Sequence, residues 1–126
     1  VAYLKPPWFT ARNFNPIAMT VGMGEPLTAT TRHSKRAQRI PVIPVDVAGT
    51  RYLVSTRGES EWVKNLRADP NVVLGSTAYV GREIPEQDRR PIITAYRQKA
   101  GRSVEGYFRK LPREADHPVF VLTPRS

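Results

Sequence analysis

Apolar positions fall in short β-prone runs up to about residue 84 and at helical spacing beyond it. Residues 27–31 form a brief Thr-rich stretch that favours a strand. Residues 31–39 are polar and very basic and read as a loop. Residues 40–47 alternate, but Pro41 and Pro44 remove ladder donors, so this strand is expected at a sheet edge or irregular. Ala48-Gly49 reads as a hairpin turn into a strand over 52–56. Over 58–68, Trp62, Val63 and Leu66 share one helical face. Glu59 and Glu61 fall in the first turn, where the helix dipole favours acids, and Asp69-Pro70 stops the helix. Strands follow over 72–74 and 78–84. Residues 85–99 place Ile92, Ala95, Tyr96 and Lys99 at helical spacing, with Pro91 starting or kinking that helix. A second short helix over 104–111 carries Tyr107 and Phe108, and a last strand spans 119–122. Strands come first and helices later, so the pattern predicts a mainly β or α+β fold, a β-barrel rather than alternating βαβ units.

Residues 1–20 carry Trp8, Phe9, Phe14, Ile17 and Met19, interrupted by Pro6, Pro7 and Pro16. They read as an arm whose aromatics cap the core. The sharper reading is a flap that faces a membrane or covers substrate, with Lys5 and Arg12 beside the aromatics. The 126 residues fit one domain with this arm attached, and no internal repeat or linker interrupts them.

Composition narrows the chemistry. There is no cysteine, which excludes disulfides, thiol catalysis and zinc-thiolate sites. The two histidines, His33 and His117, have no cluster of acids near them in sequence, so no metal site is expected. Twenty Lys and Arg against 11 Asp and Glu give a net charge of +9, which favours an anionic partner or serves solubility alone. A nucleic acid is not the expected partner, because aromatics are not interleaved with the basic residues in a known binding motif. No apolar run has the length of a membrane span and no signal peptide is evident, so the expected location is cytoplasmic.

Two basic elements stand out. Arg32-His33-Ser34-Lys35-Arg36, followed by Arg39, lies between two strands and can ring one pocket with cations; the bland reading is a solvated hairpin loop. Thr56-Arg57-Gly58 ends a strand and leads into the Trp62 helix, whose first N–H groups are free and whose Gly58 allows close backbone approach. The bland reading there is a turn with a surface arginine. The two elements flank residues 40–56 and, if a hairpin joins those strands, face each other across one sheet. No Gly-rich phosphate fingerprint and no Ser/His/Asp motif is present.

The stretch 30–42, Thr-Thr-Arg-His-Ser-Lys-Arg-Ala-Gln-Arg-Ile-Pro-Val, resembles the basic loop of the deazaflavin (F420)-dependent nitroreductase family, the A-type flavin/deazaflavin oxidoreductases. That family has glycine where Thr31 and Lys35 stand and Lys or Arg where His33 stands. Residues 51–70 resemble its next block, a Trp-x-x-Asn-Leu-Arg-Ala helix after a Ser/Thr-Lys/Arg-Gly turn, and His117-Pro118-Val119-Phe120 resembles its closing strand. The resemblance spans roughly 20–124. It implies a split β-barrel related to pyridoxine-phosphate oxidases, binding coenzyme F420, with FMN as the alternative and haem as an outside one. Arg32, His33, Ser34 and Arg39 would grip phosphate and carboxylates. Thr56, Arg57 and Gly58 would lie along ring and phosphate, and Pro41, Ile43 and Trp62 would line the ring pocket. The implied activity is hydride transfer from reduced deazaflavin to an electron-poor small molecule such as an enone, quinone or nitro compound. Tyr107, Tyr96 or solvent would supply the proton, and Ser55 or Ser34 would polarise an acceptor oxygen. The other reading is a carrier that holds F420 or a fatty-acid-like ligand without turnover. Either a monomer or a homodimer fits.

Overall fold

The structure is a computed structural model that describes residues 24–125; the arm read over 1–20 lies outside them. Among the described residues seven strands form one antiparallel sheet: β1 (Glu25–Thr30), β2 (Ala37–Val42), β3 (Val45–Val47), β4 (Thr50–Val54), β5 (Asn71–Leu74), β6 (Thr77–Glu83) and β7 (Val119–Pro124). Their order in space is β2-β1-β5-β6-β7-β4-β3. Three α-helices accompany them: α1 (Glu61–Ala68), α2 (Arg89–Ala100) and α3 (Arg102–Lys110).

The two outermost strands, β2 and β3, are consecutive in the chain and joined only by Ile43 and Pro44. Laid flat, a sheet of this many strands has its edges ~29 Å apart. The chain from Val42 to Val45 reaches only ~11 Å. The sheet therefore curls until its edges approach. The strand expected over 40–47 is accordingly two strands on opposite edges, and the hairpin at Ala48-Gly49 joins β3 to β4 rather than β2 to β4. Ala48 (φ 52°) and Gly49 (φ 80°) both take the left-handed conformation that a two-residue hairpin needs.

Alternation sends neighbouring strand residues to opposite faces. Leu53 and Phe120 join Leu27, Val72, Leu74 and Leu122 inside the curl, where Val63 and Leu66 of α1 close the layer. Val54 and Val119, next to them in sequence, point the other way and pack beneath Ile92, Ile93 and Tyr96 of α2 and Val104 and Phe108 of α3. Strands β4 and β7 thus carry an apolar layer on each face, which explains their nearly unbroken apolar runs.

Helix α1 lies close against the sheet. A Cβ on Gly81 of β6 would come within 3.2 Å of both Leu66 Cδ2 and Leu122 Cδ2, so any larger residue would make these leucines shift to keep the helix at this depth. The helix begins at Glu61 with Ser60 as N-cap, later than the pattern predicts, because Gly58 (φ 81°) turns the chain out of helical conformation. Glu59 is therefore outside the first turn. It accepts from Arg67, which also donates to Glu83 at 2.8 Å, and Glu83 accepts from Arg89 at 3.1 Å. The hydrogen bond from Arg67 holds the Glu59 carboxyl below the usual carboxylate range, against the opposing effect of burial. Pro91 sits in the first turn of α2, where its missing N–H has no helical partner to lose. The last strand, β7, inserts between β6 and β4 at the middle of the sheet.

Candidate functional site

The loop from β1 to β2 is built by its own small polar groups. The Thr31 amide donates to the Arg36 carbonyl at 2.8 Å, Lys35 N to the Thr31 carbonyl at 3.0 Å, and Arg36 N to Thr31 Oγ1 at 3.0 Å. The Ser34 hydroxyl is taken up by a hydrogen bond with Thr31 Oγ1. Lys35 adopts φ 59°, the left-handed region, at the position where the resembled family has glycine. Arg32 turns inward to α1. Its backbone N and Nη1 donate to Asn65 Oδ1 at 3.1 and 2.9 Å, and Nη2 donates to Glu61 Oε1 at 2.9 Å. Asn65 is buried and donates through Nδ2 to Gln38 Oε1 at 3.0 Å. Gln38 thus faces α1, so alternation points its neighbour Arg39 to the other side of β2, away from Arg32. His33, Lys35, Arg36 and Arg39 are exposed.

The second element is the turn from β4 to α1. Ser55 is only 2% exposed and fully engaged: its amide donates to the Pro118 carbonyl at 2.9 Å, its hydroxyl to the Gly58 carbonyl at 2.6 Å. The hydroxyl, so committed, holds the turn. The N-terminus of α1 has no side-chain cap, so its first amides keep their hydrogen-bonding capacity. Arg57 Nη2 donates to Tyr107 Oη at 2.6 Å, and the guanidinium lies 4.2 Å from the Tyr107 ring centroid. Tyr96 lies nearby but is buried in the α2 layer. Burial pushes its hydroxyl above the usual tyrosine range, only partly opposed by Arg57.

The two basic elements do converge, though not across a β2–β4 hairpin. They meet at the start of α1, where Arg32 grips Glu61 and the Thr56-Arg57-Gly58 turn enters the helix. Pro41 is buried in β2. Ile43 packs against the α2 layer, while Trp62 packs against the layer inside the curl, 5.6 Å from the Phe120 ring, so these two do not share one wall. Sequence reasoning missed Gln38, Asn65 and His117. Asn65 sits in the Trp-x-x-Asn block and His117 in the closing-strand block, yet Asn65 meets Gln38, 27 residues away, and His117 meets Ser55, 62 residues away. An open cleft of about 380 Å³ is lined by Phe108 and His117 together with Arg90, Thr94 and Arg97 of α2. Among the described residues no group of three or more His, Asp or Glu could hold a metal ion, and no helix is long and apolar enough to cross a membrane.

A curled seven-stranded antiparallel sheet with these helices is a split β-barrel of the pyridoxamine-phosphate-oxidase type. No family model and no curated protein matches the chain in sequence. Solved structures share the fold at low identity. An F420-H2 dependent reductase (FDR-A) is 22% identical with a TM-score of 0.60, over 80% of this chain and 94% of that one. A Listeria innocua protein assigned as a pyridoxamine 5'-phosphate oxidase is 12% identical with a TM-score of 0.59, over 87% and 90%. The haem storage protein HutZ from Vibrio cholerae is 12% identical with a TM-score of 0.62, over 82% of each chain.

Proposed function

We propose that this protein binds coenzyme F420 at the start of α1 and is an F420-dependent reductase of electron-poor small molecules. The observation that carries the reading is the meeting of an uncapped helix N-terminus, a left-handed Gly58 and the Arg57–Tyr107 pair at one place. The residues fit a polyanion. The acids beside the helix start are already neutralised, Glu59 by Arg67 and Glu61 by Arg32, while His33, Lys35 and Arg36 are exposed on the neighbouring loop. Thr56, Arg57 and the first amides of α1 would hold the phosphate. The cationic loop would follow the carboxylates, with Arg32 shaping that loop from behind. Its bonds to Asn65 and Glu61 make it a scaffold more than a ligand grip.

When bound, the reduced deazaflavin supplies the hydride. Tyr107 supplies the matching proton: its oxygen accepts from Arg57, which leaves the phenol hydrogen to donate to the substrate. Ser55 keeps the turn beneath Arg57 in place.

The test is titration of the protein with F420, followed by tryptophan fluorescence, and then oxidation of the reduced coenzyme by a panel of quinones and enones. Micromolar binding with substrate-dependent oxidation is expected. Tyr107→Phe should bind the coenzyme as the parent does and turn over at least tenfold more slowly, as loss of a general acid does. Binding without any turnover would leave the carrier reading. Absence of binding at low salt, with uptake of FMN or haem instead, would overturn the proposal.

A further inference from the structure

His117 is 1% exposed, and both of its ring nitrogens face carbonyl oxygens: Nδ1 lies 2.8 Å from Ser55 O and Nε2 lies 2.6 Å from Leu111 O. A carbonyl oxygen only accepts, so each contact needs an N–H, and only the doubly protonated ring carries two. The two carbonyls belong to the two segments that build the Arg57–Tyr107 pair. Ser55 opens the turn that bears Arg57. Leu111 caps α3, its amide donating to the Tyr107 carbonyl at 2.8 Å. The bonds therefore close a circuit from Ser55 through His117, Leu111 and Tyr107 to Arg57 and back along the turn. The Ser55 amide is bound to the adjoining Pro118 carbonyl, which fixes the same joint a second time.

An aromatic face and ion-paired residues surround the imidazole. The Phe108 ring stacks on His117 with centroids 4.3 Å apart and planes inclined by 30°. The charge of Arg97, which lies 4.7 Å from the Phe108 centroid, is offset by its bonds to Glu105. On the linker that carries His117, Glu114 is paired with Arg90 and Asp116 with Arg113.

We propose that His117 is a positioning residue, a doubly protonated clamp that sets the distance between the Arg57 turn and the end of α3 and so orients Tyr107. The role at the coenzyme rests on the function proposed above; the clamp itself does not. An acceptor-only or single-donor side chain at this position releases one of the two segments.

Three readouts test it. Nitrogen-15 NMR of the imidazoles in protein without coenzyme, with His33→Gln used to assign the signals, should show protons bound to both His117 ring nitrogens. A ring with one bound proton overturns the proposal. In His117→Gln, again without coenzyme, the Tyr107 ring and Arg57 side-chain resonances should shift; spectra that leave both unchanged in the folded variant overturn it as well. With F420, the dissociation constant of folded His117→Gln should rise at least tenfold, and an unchanged value defeats the clamp while leaving the coenzyme site intact. A parent protein that fails to bind F420 defeats only the proposed function, and the two coenzyme-free readouts still decide on the clamp.

Discussion

Arg32 and Arg57 flank the same helix start, and both were expected to hold the ligand, yet they are tied down by different chemistry. Arg32 meets a carboxylate and a buried amide, Glu61 and Asn65. Its charge is matched within the protein, and its backbone amide joins the same acceptor. Arg57 meets the phenol of Tyr107. A phenol that accepts a hydrogen bond still has one to give, so this contact creates a donor where the other consumes one. The first arginine shapes a loop, and the second pairs with the phenol that we propose as the proton donor. Residue type and local sequence are nearly the same; the partner that the fold brings opposite each one makes the difference.

Breaking the Arg32 side should have the largest effect. Asn65→Ala leaves the partly buried Arg32 and Gln38 without their shared partner and should cost about 1–3 kcal/mol, the range for polar groups left unsatisfied on burial. Chemical denaturation would measure it, and a loss below half that size would mean the network contributes little. The comparison is sharpened next by ligand affinity. Arg57→Ala should raise the F420 dissociation constant about tenfold, or roughly 1.4 kcal/mol, whereas Arg32→Ala should act mainly on stability. Equal losses of affinity in both would erase the distinction. A smaller change is expected within the Arg32 loop: Lys35→Gly removes the cost of a left-handed side chain and should stabilise the protein by about 1 kcal/mol, read as a rise in the denaturation midpoint.

Acid should act most gently. The Glu59 carboxyl is held below its ordinary range by the hydrogen bond from Arg67. Its contribution is complete above that ordinary range, where the unfolded carboxylate is also ionised, and fades as the pH falls through the lowered value. Glu59 adjoins Gly58, so the Arg57 turn should loosen while Arg32 remains held by Asn65. A melting-temperature profile from neutral to acid pH should be shallower in Glu59→Gln than in the parent, and parallel profiles would count against this assignment.

Much of the fold was readable because it rests on local rules. Paired prolines marked residues 41–44 as edge structure, and both strands they touch are edges. Ala48-Gly49 marked its hairpin, and Val63 and Leu66 marked the buried face of α1. The break at Ile43-Pro44 was not readable, because alternation continues through it while the chain crosses from one edge of the curled sheet to the other. The central place of β7 was hidden too, since its apolar run fits any strand buried on both faces. At the site, the resemblance pointed to the two turns that meet at the start of α1, but the partners of Arg32 and Ser55 within the protein were not legible in it.

The sequence by itself determined the kinds of element and their order along the chain, the excess of positive charge and the two basic turns, because each depends on residues within a few positions of one another. Only the tertiary structure decided that Arg32 meets Glu61 and Asn65, that Arg57 meets Tyr107, and that His117 spans Ser55 and Leu111. Apart from His117 with Leu111, six residues away, those pairings join segments far apart in the chain. A hydrogen bond has no reach along a sequence; it exists where folding brings a donor and an acceptor within about 3 Å.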